Sequence, residues 1–314
     1  MTTQRIVVLG GTGFVGSYLV PRLVADGHRL TLLSRNRESH RAMAVLPGVA
    51  IRSADIYDND TLRRHLEGAD AVINLIGILN PQGPHTFQRV YVDLAKRLID
   101  ACKATGTKRL HQMSSLKAGQ GLSQYLKMRG EAESVVKAAP LEWTIYQPSV
   151  IFGDGDGLVT RFAALLRKMP VLPLARATSR LAPTYAGDVA EAIARCVGND
   201  KQSVRRSFEL YGPEVLTLGE IVRAIRDAAG LRTAIVPLPD SLGRLQAQVA
   251  GLLPGKPFSP DNFLSLRTDS VGKVDGYTAL GIEPQPFTPW LPRLIQGMPR
   301  QRRLDAARQA YRHR

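Results

Sequence analysis

The stretch "RIVVLGGTGFVGSYLV", residues 5–20, constrains the fold more than any other. A short apolar strand runs straight into Gly10, Gly13 and Gly16, and the glycines open a helix. Glycine permits the tight turn and lets the backbone approach an anion closely. The helix N-terminus adds free N–H groups and a favourable dipole. With a strand before it and a helix after it, the pattern reads as a pyrophosphate-binding loop rather than a plain glycine turn. Thr12, Phe14 and Val15 lie between the glycines and share the predicted contact.

The rest of the first half repeats this rhythm. Apolar runs "LTLLS", "AVINLIG", "RLHQMSS" and "WTIYQPS" are separated by helical-looking stretches near 58–67, 86–105 and 123–138. Strand–helix alternation predicts a parallel sheet covered on both faces, and strands this apolar expect burial on both sides. After "QPSVIFGDGDG" proline becomes frequent. Two helical patterns remain there, "AGDVAEAIARCVG" and "LTLGEIVRAIRDAAG". The second carries Thr217, Glu220 and Gly230 as capping box and stop. The predicted fold is α/β: a Rossmann-type doubly wound parallel sheet over 1–150, an interwoven smaller lobe over 151–298, and a basic tail over 299–314.

Cofactor choice is read at the strand ends. The second strand ends in Ser34, Arg35 and, two residues on, Arg37, where a site for NAD often carries an acid. A guanidinium suits a 2′-phosphate through paired charge-assisted bonds, so NADP(H) is favoured over NAD(H). The alternative is that Arg35 is a surface arginine. Asp55, followed by Ile56, sits where a carboxylate can accept from the adenine amino group. Leu75, Ile76 and Gly77 end the next strand along the cofactor path.

Within "SQYLKMRGEAE", Tyr125 and Arg129 are four residues apart and share a helical face. Lys127 is rotated by about 200° and points elsewhere.

These segments together resemble an extended or atypical short-chain dehydrogenase/reductase. "RFAALLRKMPVLPL", "RLAPTYAGDVAEAI" and "LPGKPFSPDNFLSLRTDSV" resemble, within it, the branch holding the NADPH-binding accessory subunit of respiratory complex I and its bacterial single-chain relatives. The likeness runs from about residue 4 to about residue 298. It implies a nucleotide-holding subunit in mitochondria, and epimerase-like or ubiquinone-linked roles in bacteria. Active members of the superfamily use a Ser or Thr, a Tyr and a Lys four residues later. Matched by position, these become Ser114, Tyr125 and Arg129, with Ser115 as a neighbouring hydroxyl. Arginine keeps the charge that grips a nicotinamide ribose but does not deprotonate to join a proton relay. The resemblance therefore implies an NADP(H) binder with little or no turnover, or else an active NADP-dependent oxidoreductase or epimerase using Tyr125 for proton transfer. Pro148 and Val150 fall where the family passes the nicotinamide carboxamide. Asp188 matches the family's acid at a helix start and reads as an N-terminal cap.

Composition limits the remaining classes. No apolar run approaches a membrane span, and the N-terminus enters a strand within five residues, which predicts a cytoplasmic chain without a leader. Cys102 and Cys196 lie in apolar segments and read as reduced core thiols. The six histidines show no metal-ligand spacing, so no metal is expected. His85 and His111 are read as flanking the cleft in structural roles. The net charge is +15, and from Leu291 to Arg314 seven arginines face one acid, Asp305. Leu291, Leu294, Ile295 and Met298 repeat with helical spacing. This end reads either as docked on its own domain or as peripheral contact with an anionic membrane or a respiratory partner. No aromatic platform supports nucleic-acid binding.

Overall fold

The computed structural model describes residues 3–35, 41–253 and 258–296. Seven strands form one sheet: β1 (Arg5–Leu9), β2 (Arg29–Ser34), β3 (Val49–Ser53), β4 (Ala71–Asn74), β5 (Arg109–Met113), β6 (Glu142–Pro148) and β7 (Arg206–Leu210). Their order is β7-β6-β5-β4-β1-β2-β3, and every neighbouring pair is parallel. All strands thus end on one edge of the sheet. The order reverses between β1 and β4, which is where a ligand crevice forms in such sheets.

The helices follow the strands: α1 (Phe14–Ala25), α2 (Asn59–Leu66), α3 (Leu94–Thr105) and α4 (Gln124–Lys137). A π-helical turn, Gln88–Asp93, leads into α3. Alternation along each strand sends Ile6, Val8 and Ile73 to one face and Val7, Leu9 and Val72 to the other. The first face packs on Leu19 and Leu23 of α1, the second on Leu62 of α2 and Leu94, Leu98 and Cys102 of α3. Both cysteines are buried thiols, and burial pushes Cys102 up to about 12.

The second half begins as a separate lobe and then returns. In the lobe, α5 (Leu158–Lys168) contributes Val159, Ala163 and Leu166 to a core with Phe152 and Phe287. The helix α6 (Ala186–Gly198) goes back to the sheet, where Val189, Ile193 and Cys196 join the α1 face. β7 then extends the sheet beside β6. The helix α7 (Leu218–Ala228) rejoins the lobe, and its Thr217–Glu220 capping box is formed as read. Two further helices, α8 (Asp240–Leu252) and α9 (Pro260–Ser265), pack on each other.

One expectation needs correction, that for Asp188, and one alternative left open for the C-terminal segment is resolved in favour of docking on its own domain. Asp188 lies in the first turn of α6 but bonds no amide of its own helix. Its Oδ2 accepts from the Gln285 N–H at 2.7 Å, tying the C-terminal segment to the sheet body, and burial raises its carboxyl above the usual range. The amphipathic segment near the end is turned inward. Leu291 is 1% exposed, and Leu294 and Ile295 pack with it on the lobe core, so this apolar face is not available to a bilayer. Met298 and the tail 299–314 lie outside the described residues.

Candidate cofactor site

The site is built along the sheet edge where the strands end. At the end of β1, Gly10 adopts φ +75, which favours glycine. The Gly13 N–H donates to the Gly10 carbonyl at 3.0 Å, closing the turn that starts α1. No side chain caps α1, and no acid sits in its first turn, so its amides face the crevice free of a competing carboxylate. Gly16 lets the helix press on the loop: a Cβ there would lie 2.1 Å from the Gly11 carbonyl oxygen. Thr12, Phe14 and Val15 are half-buried on the same turn. This cradle fits a pyrophosphate.

The next compartment lies at the ends of β2 and β3. A cleft of about 380 Å³ opens beside the ends of β2 and β3, lined by Arg35, Ser53, Asp55, Ile56, Tyr57, His85 and Arg89 among others. Asp55 accepts from the Tyr57 N–H at 2.9 Å, which fixes the loop after β3. The Arg89 guanidinium stands 4.3 Å from the Tyr57 ring centroid, a cation–π contact. Arg35 Nη1 lies 3.2 Å from His85 Nε2. Two arginines and a histidine therefore line the wall of this cleft. Ser34 is buried at the end of β2, and Arg37 lies outside the described residues. Sequence spacing does not single out Tyr57 or Arg89. The expectation for His111 is corrected: it is fully buried in β5, 2.8 Å from the Tyr146 hydroxyl, and burial holds it well below the usual histidine range.

At the other end, beyond β4 and β5, Tyr125 and Arg129 share the inner face of α4. Ser123 caps this helix by accepting from the Leu126 N–H at 3.2 Å. Asp261 of α9 accepts from the amides of Gln124 and Tyr125 at 2.6 and 3.1 Å, so the smaller lobe anchors the helix start. Arg129 is 7% exposed. Its Nη1 donates to the Met113 carbonyl at 2.8 Å, and its guanidinium lies 4.0 Å from the Tyr91 ring centroid and 5.5 Å from that of Tyr125. Burial works against its charge, yet the phenols of Tyr91 and Tyr125 hold its titration above the ordinary range. Burial also pushes the Tyr91 phenol up to about 12, so that it stays neutral. Arg129 Nε has no hydrogen-bond partner among the described residues. An orphaned buried donor beside the strand ends fits a ribose hydroxyl.

Gly77 makes room for this guanidinium. A Cβ there would lie 2.8 Å from Arg129 Nη2 and 3.7 Å from the Tyr91 hydroxyl. The Gly77→Ala variant is expected to lose about 1–2 kcal/mol of stability, because the stacked arginine cannot swing aside freely. Nucleotide affinity falls with it. Chemical denaturation and fluorescence titration check the two effects. Leu75 and Ile76, on the same loop, are held by β1 and by the Asn74 side chain, which accepts from the Ile76 N–H at 3.1 Å.

The two serines divide. Ser114 Oγ donates to Glu133 Oε1 at 2.6 Å, and Glu133 also accepts from Gln147 at 2.7 Å and Lys137 at 2.9 Å. Glu133 is two helical turns beyond Tyr125, so the Ser114 hydroxyl is tied to this network. Ser115 Oγ is buried and has no partner among the described residues. Pro148 accepts from the Leu116 N–H at 2.8 Å, and Val150 from Thr184 at 2.9 Å, which places both at the end of β6 beside this chemistry.

A parallel sheet with its reversal at β1/β4, a glycine cradle there and a Tyr-x-x-x-Arg helix beside β5 define a Rossmann-type nucleotide-binding protein of short-chain dehydrogenase/reductase architecture. The chain belongs to the NAD(P)H-binding family, whose model matches residues 10–200. It is 31% identical over 238 residues to the ceramide reductase of Caulobacter vibrioides, covering 75% of this chain and 74% of that one. It is 30% identical over 247 residues to the mitochondrial NADH dehydrogenase (ubiquinone) 1 alpha subcomplex subunit 9 of Arabidopsis thaliana. That alignment covers 76% of this chain but 61% of the plant protein, so the chain spans less than two thirds of that relative. Among solved structures, an NADPH-dependent quinone oxidoreductase of Escherichia coli, complexed with NADPH, shares the fold. The TM-score is 0.74 at 20% identity, over 92% of this chain and 99% of that one.

Proposed function

We propose that this protein holds NADP(H), in preference to NAD(H), at a modified Ser-Tyr-Arg site with little or no turnover. It would serve a respiratory, quinone-linked or stabilising role in the cytoplasm, beside a membrane or respiratory partner. The glycine loop takes the pyrophosphate, and Arg35 the 2′-phosphate. Asp55 and Ile56 take the adenine. Leu75, Ile76 and Gly77 run along the chain of the cofactor, Tyr125 and Arg129 meet the nicotinamide ribose, and Pro148 and Val150 the carboxamide. Bound nicotinamide would supply hydride-transfer chemistry.

The observation that carries the reading is Arg129. Its guanidinium is buried, stacked and already bonded to Met113, so it serves as a fixed cationic clamp. A guanidinium does not release its proton, so it cannot pass one on from Tyr125. A second reading, an active NADP-dependent oxidoreductase or epimerase with Tyr125 as proton donor or acceptor, draws on a different feature. The Tyr125 side chain remains half-exposed, and the unpartnered Ser115 hydroxyl is available to steady a substrate oxygen in place of Ser114.

The release rate of NADPH separates them. Rapid dilution into excess NADP+ is expected to show release over minutes to hours. Release within about a second would mean a cycling cofactor and favour the enzyme reading. The variant Arg129→Lys is expected to gain NADPH oxidation with carbonyl or quinone acceptors. A wild type that already turns over, with no gain from the lysine, would sink the clamp argument.

A further inference from the structure

Helix α8 is built inside out. Its buried positions are the small residues Gly243 and Ala247, and a Cβ on Gly243 would lie 3.0 Å from Ala175 and from Phe263, so the helix is pressed close by that side. Its large aliphatics point to solvent. Leu242 is 50% exposed, Leu245 54%, Val249 57% and Leu252 87%, with Leu253 at 52%. At 100° per residue the four within the helix fall within about 80° of one another, a continuous apolar stripe, and Leu253 follows directly after its last turn. A stripe of this kind on a helix already anchored by its opposite face marks an interaction surface.

The charge around it selects the occupant. At the N-terminus of α8, Asp240 pairs with Arg176 at 2.9 Å, and Arg244 and Arg267 also act on its carboxylate, holding it below the usual range. Arg176 is paired with Asp240, and the exposed Arg244 on α8 and Arg267 just beyond α9 add positive charge near the base of the stripe. The whole chain carries +15, so a second copy seated here would bring strongly like-charged molecules together. A surface that is anionic at its face and apolar just beneath relieves both problems. No helix among the described residues is long and apolar enough to cross a membrane, so the contact is one that lies on the surface.

We infer that α8 is a membrane-contact element, with Leu242, Leu245, Val249 and Leu252 entering the headgroup boundary of an anionic bilayer and Arg244 and Arg267 meeting its phosphates. The element is coupled to the cofactor site. It packs on α9, whose Asp261 anchors the start of α4 beside Tyr125. Leu79 and Leu122 stand 62% and 56% exposed on the loops that meet α9, where Asn262 donates to the Leu79 carbonyl. The bilayer face therefore adjoins the mouth of the Tyr125 site.

The test is co-sedimentation of the full chain with vesicles of phosphatidylcholine alone, or with about a third phosphatidylglycerol. The proteins are wild type and Leu245→Ser/Val249→Ser, both side chains being solvent-facing. The wild type is expected to partition onto the anionic vesicles, and the double variant to bind them about tenfold or more weakly. NADPH affinity and melting temperature should be unchanged, which keeps this outcome distinct from the nucleotide reading. Equal binding by both proteins would place the contact elsewhere and overturn the inference. So would the absence of vesicle binding together with a dimer that the double variant dissolves.

Discussion

Gly16→Ala is expected to abolish NADPH binding and to lower stability by about 3 kcal/mol. The added methyl would lie 2.1 Å from the Gly11 carbonyl oxygen and 2.4 Å from its carbon. Neither is a flexible side-chain end, so backbone must move. The movement must come from the loop between Gly10 and Gly13, because α1 is fixed by Leu19 and Leu23, both fully buried. In the proposed site that loop is the cradle for the pyrophosphate, and its displacement would take the amides out of register with the phosphates. Gly157→Ala is the control. Nothing lies within 4 Å of its built Cβ, and its φ of −90 suits any residue, so stability and binding should be unchanged. Isothermal titration and denaturant unfolding of the two variants measure both quantities. A Gly16→Ala protein that binds NADPH at wild-type affinity would remove the glycine loop from the cofactor site.

Arg35→Asp is expected to weaken NADPH on the order of a hundredfold, and to leave NADH unchanged or better bound. In the proposed site the substitution would remove charge-assisted bonds to a 2′-phosphate and set a like charge against it. Arg35 is exposed, and its contact with His85 is at the surface, so the melting temperature of the unliganded protein should hold. The readout is thus clean. The stabilisation that NADPH gives on heating should vanish in the variant, and the one given by NADH should persist. Unchanged affinity for both nucleotides would leave Arg35 a surface arginine.

Much of this architecture is legible in the chain because it is local. The crossover rhythm fixes which segments become strands, and a parallel sheet then sends each strand end, with Arg35, Asp55 and Gly77, to one edge. Tyr125 and Arg129 share a face because helices repeat. What escapes a sequence reading is contact between distant elements. Asp261 reaches the amides of α4 across more than 130 residues. Tyr91 and Arg89 look like ordinary members of a helix until their partners are known. β7 lies in a proline-rich stretch, and its place beside β6 follows only from the return of α6 to the sheet. His85 and His111 carry the same signal in the sequence, yet one lines the cleft and the other is sealed in the core. Asp188 has the position of a cap, but a nearby backbone amide from residue 285 takes its carboxylate.

The π-helical turn at Gln88–Asp93 sets a length rule for the whole site. A turn of this type holds about one residue more than an α-helical turn. The extra residue lets Arg89 reach Tyr57 while Tyr91, two positions on, lies under Arg129. Shortening the segment by one residue would restore an unbroken α-helix and rotate everything before the deletion by about 100° relative to everything after it. One helix could then no longer bring Arg89 onto Tyr57 and Tyr91 under Arg129 together. The wide turn spaces the cleft at Tyr57 from the buried cation at Arg129, so in the proposed reading the span offered to a dinucleotide would be set by a count of residues as much as by their chemistry.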